Sequence, residues 1–270
     1  MKKILVFLFV ISIVTFFSCA EKQKVEIELV ENEVEYRTDS TLMKGYLVYD
    51  GNLEGKRPGV LIVHEWWGHN EYARKRARML AELGYTALAI DMFGDGKQAN
   101  HPEDAGKFAM EIFNNVPEAE ARFLAAYELL KNNENTDADN IAAVGYCFGG
   151  SVALHMARIG TDLKAAASFH GGLQAITPAE PNKVKAFVLV CNGADDPLVP
   201  AEQIEAFKNE MDNAGVKYEF KNYPGAVHSF TNPAADEFGK KFNMPLAYNE
   251  NADKESWAEL QKVLKDVFNK

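Results

Sequence analysis

Three residue types that suit acyl transfer fall in one order along this 270-residue chain: a cysteine, then an acidic pair, then a histidine. The cysteine lies in Gly145-Tyr146-Cys147-Phe148-Gly149, directly after the apolar run Ile141–Val144. This is a G-x-S-x-G nucleophile elbow with sulfur in place of oxygen. Such an elbow is a sharp strand-to-helix turn, and the flanking glycines let backbone pass closely. The turn sets the sulfur at a helix N-terminus, whose partial positive charge favours thiolate. The amide of Phe148 is then a candidate oxyanion donor. In elbow hydrolases an acid follows a later strand, and a histidine comes last. The acid candidates are Asp195 and Asp196, after the run Ala186–Val190, and one of them can equally cap the helix that follows. His228, in Gly225-Ala226-Val227-His228-Ser229-Phe230, is the only histidine after His170. It would take the thiol proton and return it to the leaving group, while the acid fixes its tautomer.

Elements able to position these residues are legible in the hydropathy pattern. Gly59–Val63, Thr86–Ile90, Ile141–Val144 and Ala186–Val190 are continuous apolar runs, as expected of strands covered on both faces. Helical stretches separate them, at about 71–83, 103–114, 117–132, 149–159, 200–213 and 252–269. Val25–Leu29 and Val34–Tyr36 alternate with period two, and Thr41–Tyr49 reads as a third edge strand. Alternating strands and helices predict an α/β fold, with a central, mostly parallel sheet and helices on both faces. One domain is expected over 25–270, with 94–116 as a small lid or side excursion. In such a sheet the site forms at the carboxyl ends of the strands. The segments there begin at His64-Glu65-Trp66-Trp67, Asp91-Met92-Phe93 and His170-Gly171-Gly172.

The assembled pattern resembles the dienelactone hydrolase family, cysteine-dependent enzymes of the α/β-hydrolase fold, from about Arg57 to Phe268. The resemblance rests on the cysteine elbow, an aspartate before x-x-Val-Pro, His228-Ser229-Phe230, and a glutamate after the first central strand. It selects Asp196 over Asp195. It implies a Cys147–His228–Asp196 triad, with the backbone of Trp66 as second oxyanion donor. It also implies that Glu65 touches the resting thiol and shifts when substrate binds; a structural ion pair with Arg74 or Arg76 is the alternative. The implied activity is hydrolysis of carboxylic ester or lactone bonds through a thioester. An acyl transferase using the same triad, or a non-catalytic ligand-binding relative, are the rival readings.

Two departures bear on substrate. The family's arginine after the Asp-Leu-Tyr segment has no counterpart in Asp91-Met92-Phe93-Gly94-Asp95. The one after His-Ser-Phe is replaced in Thr231-Asn232-Pro233. A neutral ester or lactone is therefore expected, with Trp67, Phe93 and Phe230 lining an apolar pocket.

The N-terminus carries a separate message. Lys2 and Lys3 precede an apolar run, Ile4–Phe17, of 14 residues, short of the roughly 20 that a membrane span needs. It ends Phe16-Phe17-Ser18-Cys19. Residues 1–18 read as a signal peptide. Its end resembles the bacterial lipobox, although Phe16 stands where an aliphatic residue is usual. Cys19 would then carry lipid, and 19–24 would be a tether. Plain secretion or a retained anchor are the alternatives. The expected location is outside the cytoplasm, membrane-anchored through lipid, facing the periplasm or the cell exterior. A net charge of −10 argues against nucleic-acid binding. Cys19, Cys147 and Cys191 suggest neither a disulfide framework nor a zinc site. Neither His69 nor His101 has ligand spacing, so no metal or other cofactor is expected and a small-molecule substrate is the implied partner.

Overall fold

The computed structural model describes residues 26–269; the segment read as a signal peptide and lipid-bearing cysteine lies outside them. An eight-stranded sheet runs in the order β1-β2-β4-β3-β5-β6-β7-β8. Its strands are β1 (Leu29–Arg37), β2 (Leu42–Asp50), β3 (Arg57–Val63), β4 (Thr86–Ile90), β5 (Thr136–Tyr146), β6 (Ala165–Phe169), β7 (Phe187–Gly193) and β8 (Tyr218–Tyr223). Only the β1–β2 and β2–β4 pairings are antiparallel; the rest are parallel. This is the α/β-hydrolase fold.

Seven helices cover it: α1 (Glu71–Ala81), α2 (Pro102–Phe113), α3 (Val116–Lys131), α4 (Phe148–Arg158), α5 (Ala201–Ala214), α6 (Ala235–Phe242) and α7 (Glu250–Val267). The strand alternation sends Leu61 and Val63 into one core with Phe123, Met156 and Phe207, under α3, α4 and α5. Val60 and Ile62 point into the other with Leu80, Leu260 and Leu264, under α1 and α7. Both faces of β3 are thus dry, which is why its sequence shows no alternation.

Three elements differ from the expected pattern. The two short N-terminal alternations are replaced by one strand, β1, beginning at Leu29, which hydrogen-bonds along its whole length with β2. Helix α6 and strand β8 carried no apolar run long enough to read. β8 is a half-exposed edge strand, and α6 is held by tertiary contacts: Phe238 and Phe242 pack on Trp67. The 94–116 excursion is partly helix: α2 buries Ala105, Ala109 and Ile112.

From β3 the chain crosses to β4 on one side, then returns past β3 to β5 on the other. The crevice at such a reversal is where open α/β sheets bind ligands. The segments following β3 and β5 are those that carry Glu65 and Cys147.

Candidate functional site

Cys147 sits between the last residue of β5 and the first of α4, at φ 53°, ψ −118°. A non-glycine residue there is strained. The elbow survives because its neighbours have no side chains. A Cβ on Gly145 would overlap the Gly149 carbonyl, and one on Gly149 would overlap the carbonyls of Val63 and His64. The second contact lays the start of α4 on the end of β3. Phe148, as first residue of the helix, has an amide with no acceptor inside it. His170 (φ 40°) and Ser229 (φ 56°) are also left-handed. Three left-handed non-glycine residues thus belong to the segments around the thiol. The Cys147 amide is held by both Phe169 O (2.9 Å) and His170 Nδ1 (3.1 Å).

His228 Nε2 lies 3.1 Å from Cys147 Sγ, and its Nδ1 lies 2.8 Å from Asp196 Oδ2. Both His228 and Asp196 are buried, whereas Cys147 is only half-buried and so open to a ligand. The Asp196 Oδ1 also accepts the Leu198 amide at 2.9 Å, fixing the turn before α5. Neither aspartate caps that helix, whose N-cap is Pro200 with no side-chain bond, and Asp195 is exposed. Burial alone would lower the His228 pKa. The negative charge on Cys147 and the Asp196 hydrogen bond outweigh burial, and the imidazole is pushed up to about 10. His228 therefore favours its imidazolium form at neutral pH, between the sulfur and the carboxylate.

Glu65 is not where the family resemblance implied. Its Oε1 accepts from Ser229 Oγ (3.0 Å) and its Oε2 from Asn232 Nδ2 (2.6 Å). Cys147 Sγ bonds to His228 instead. The alternative ion pair is not formed either: Arg74 pairs with Glu33 and Arg76 with Asp253. Glu65 is 1% exposed, and burial raises its pKa against the opposing pull of Asn232 and Ser229. It staples the turn after β3 to the loop that carries His228.

His64 braces the same turn. The Met92 amide donates to its Nε2 (3.2 Å), so Nδ1 carries the proton and donates to Glu65 O (2.6 Å). Its ring stacks on Phe148 at 5.7 Å. His170 belongs to a longer chain that sequence reading did not foresee. Its Nε2 meets Thr231 Oγ1 (2.7 Å), the Thr231 and Tyr72 hydroxyls share a bond of 2.6 Å, and Arg76 Nε donates to Tyr72 (3.2 Å). Burial, then His228 and Arg76, hold His170 far below its usual pKa, so it stays neutral against His228. Tyr72 and Arg76 are one turn apart on α1, but the other two partnerships span 61 and 159 residues, and no local motif discloses them.

The structure brings arginines to both segments that lack one, from elsewhere in the chain. Arg122 of α3 donates to the carbonyls of Met92 (2.9 Å) and Phe93 (3.1 Å) and pairs with Glu118. Arg76 of α1 donates to Thr231 O (2.6 Å) and pairs with Asp253. Both are committed to carbonyls and carboxylates. The expected aromatic pocket is corrected: Trp67, Phe93 and Phe230 are 2%, 3% and 0% exposed. Trp67 packs on α6, Phe93 against His64 and Phe148, and Phe230 against His170 and Tyr223. They are core, because each found an aromatic partner that sequence spacing does not disclose. Trp66 remains half-buried at the crevice. Among the described residues, no three His, Cys, Asp or Glu side chains are grouped to hold a metal ion.

The model of the dienelactone hydrolase family matches residues 43–268. The chain belongs to that family. A dienelactone hydrolase-like promiscuous phosphotriesterase from metagenomic libraries is 34% identical, with a TM-score of 0.81 over 89% of this chain and 99% of that one. A solved chain called m3DLH is 39% identical, with a TM-score of 0.83 and the same coverage of both chains. An Aquifex aeolicus protein, provisionally named a carboxymethylenebutenolidase, is 26% identical over 76% of this chain and 88% of its own. Membership of the dienelactone hydrolase family makes this protein a carboxylic ester hydrolase of ester or lactone type.

Proposed function

We propose that Cys147, His228 and Asp196 form the catalytic triad, and that the protein hydrolyses neutral esters or lactones through a thioester. The observation that carries this reading is the unbroken contact from Asp196 Oδ2 through the imidazole to Cys147 Sγ, at 2.8 and 3.1 Å. The thiolate adds to the carbonyl carbon, and the carbonyl electron pair moves onto oxygen, facing the amides of Phe148 and Trp66. Collapse breaks the C–O bond. The His228 imidazolium protonates the departing alkoxide, leaving an acyl–sulfur bond. Water then attacks, giving its proton to His228, and collapse releases the acid and restores the thiolate–imidazolium pair.

Two features favour a neutral substrate. Arg122 and Arg76 are already engaged, so no guanidinium beside those segments is left for an anion. Half-buried Trp66 gives the crevice an apolar surface. Phosphotriesters, the substrates named for the metagenomic relative, are neutral as well and belong in the same assay panel. Cys147→Ala is expected to abolish hydrolysis of p-nitrophenyl acetate while leaving the thermal melt unchanged. Undiminished turnover would remove the cysteine from the mechanism.

The proposal extends to location: residues 1–18 direct export and Cys19 carries lipid, tethering the hydrolase outside the cytoplasm. The support is the charged start, the apolar run of 14 residues and Ser18 before Cys19. Metabolic labelling with a radioactive fatty acid is expected to mark the wild type and not Cys19→Ala; equal labelling would refute it.

A further inference from the structure

A cavity of about 380 Å³ lies beside the first turn of α4, lined by Phe113, Ser151, Gly172, Gln174, Ile176 and Gln203. Sites for small ligands are commonly of about 300–1,000 Å³. Its lining comes within one helical turn of the nucleophile. Ser151 is one helical turn beyond Cys147, its amide bonded to Cys147 O, and the Phe113 ring lies 5.2 Å from that of Phe148. Its walls are braced: Ser151 Oγ donates to Gly172 O (3.0 Å), and Gln203 Oε1 accepts the Leu173 amide (2.8 Å).

We propose that this cavity is the acyl-side subsite and takes a neutral, partly apolar acyl group, such as an aliphatic chain of medium length. The inference rests on the proposed triad. The leaving oxygen must reach His228 to collect its proton, so the alcohol half of the ester lies towards the His228 loop. None of the lining residues belongs to that loop; they come from α2, α4, the segment after β6, and α5. The acyl half is therefore the part that points into the cavity. No lining side chain is ionisable. Phe113 and Ile176 also line a small neighbouring pocket with Ile112, Val152, Met156 and His155, a mostly apolar end in which His155 is the one ionisable side chain. At the other end the cavity shares Gln174 and Gln203 with a depression that contains Glu202 and Glu210. Glu210 is paired there with Arg158, so exposed Glu202 is the acid that an acyl chain ending in a carboxylate would meet. Gly172 lines the cavity, and a Cβ added there would meet only Ser151 Oγ, at a tight 3.2 Å, so a side chain there adds bulk to the cavity wall.

The test uses the full-length protein as wild type, Gly172→Leu and Ile176→Trp. The kcat/KM ratio for p-nitrophenyl octanoate over p-nitrophenyl acetate reports the acyl side. The ratio for octyl acetate over ethyl acetate reports the alcohol side. Losing a well-fitted apolar contact typically costs about tenfold or more in selectivity. The acyl-side ratio is therefore expected to fall by about that factor in each variant, through KM, while the alcohol-side ratio stays fixed. Replacing octanoate by the p-nitrophenyl monoester of a long diacid is expected to lose activity in the wild type. Ile176 is 45% exposed, so its variant carries the test should Gly172→Leu fail to fold. An unmoved acyl-side ratio in a fully active Ile176→Trp, or a shift in the alcohol-side ratio instead, would overturn the subsite and leave the triad standing. Wild-type protein inert towards every ester would overturn both.

Discussion

Removing the Asn232 side chain tests whether the Glu65 staple holds the site together. Asn232→Ala deletes the 2.6 Å bond from Nδ2 to a carboxylate that is 1% exposed, and Ser229 Oγ is the other donor to it. It also deletes the acceptor that Oδ1 offers to the Ala234 amide. A hydrogen bond to a charged group contributes about 1.5–3 kcal/mol, and a neutral one about 0.5–1.5. A loss of about 2–4 kcal/mol in urea unfolding at about pH 8 is therefore expected. The pH dependence is the sharper part. Glu65 is raised above its ordinary pKa in the folded protein, chiefly by burial and against the pull of Asn232. The folded state therefore favours the protonated form, and stability falls as pH rises from the unfolded value through the folded one. Without Asn232 the carboxylate is still less welcome, so the shift grows and the deficit is greatest where Glu65 is ionised. The deficit should shrink towards the neutral-bond part, about 1 kcal/mol, as pH falls through the Glu65 titration. A cycle with Glu65→Gln isolates the charge-dependent portion. A deficit that is independent of pH, or below about 0.5 kcal/mol at about pH 8, would refute the reasoning.

Two further outcomes follow from the same geometry. In Asp196→Asn the Leu198 amide requires a carbonyl oxygen at the Oδ1 position, which turns the new NH2 towards His228 Nδ1 and imposes the wrong tautomer. The expected loss in kcat is about four orders of magnitude with an unchanged fold, and a loss below about tenfold in stopped-flow assays would count against a tautomer-fixing role. Gly149→Ala sets a methyl against the carbonyls of Val63 and His64, both fixed at the end of a buried strand. It should cost about 3 kcal/mol or more, read as a lowered unfolding midpoint, and a wild-type midpoint would show that α4 can shift away from β3.

The sequence by itself determined what is local or ordered along the chain. Apolar runs marked the buried strands, because strands dry on both faces admit few polar residues. Glycines at two positions around Cys147 marked the elbow, because nothing larger fits there. The order of cysteine, acid and histidine singled out Cys147, His228 and an aspartate pair, and the family resemblance chose Asp196, which the fold places within hydrogen-bonding reach of His228. What escaped it depends on partners far apart in sequence. Whether Glu65 faces a thiol, an arginine or Asn232 is decided by how the His228 loop folds back over the β3 turn. Arg122 and Arg76 fill positions that looked empty of cations, because α3 and α1 pack against those segments. Phe93, Trp67 and Phe230 looked like pocket walls, since an aromatic residue has the same sequence signature whether it faces a ligand or another ring. Edge strand β8 and helix α6 were missed because their stability comes from neighbours, and pattern along a chain records only the part of the burial that is periodic.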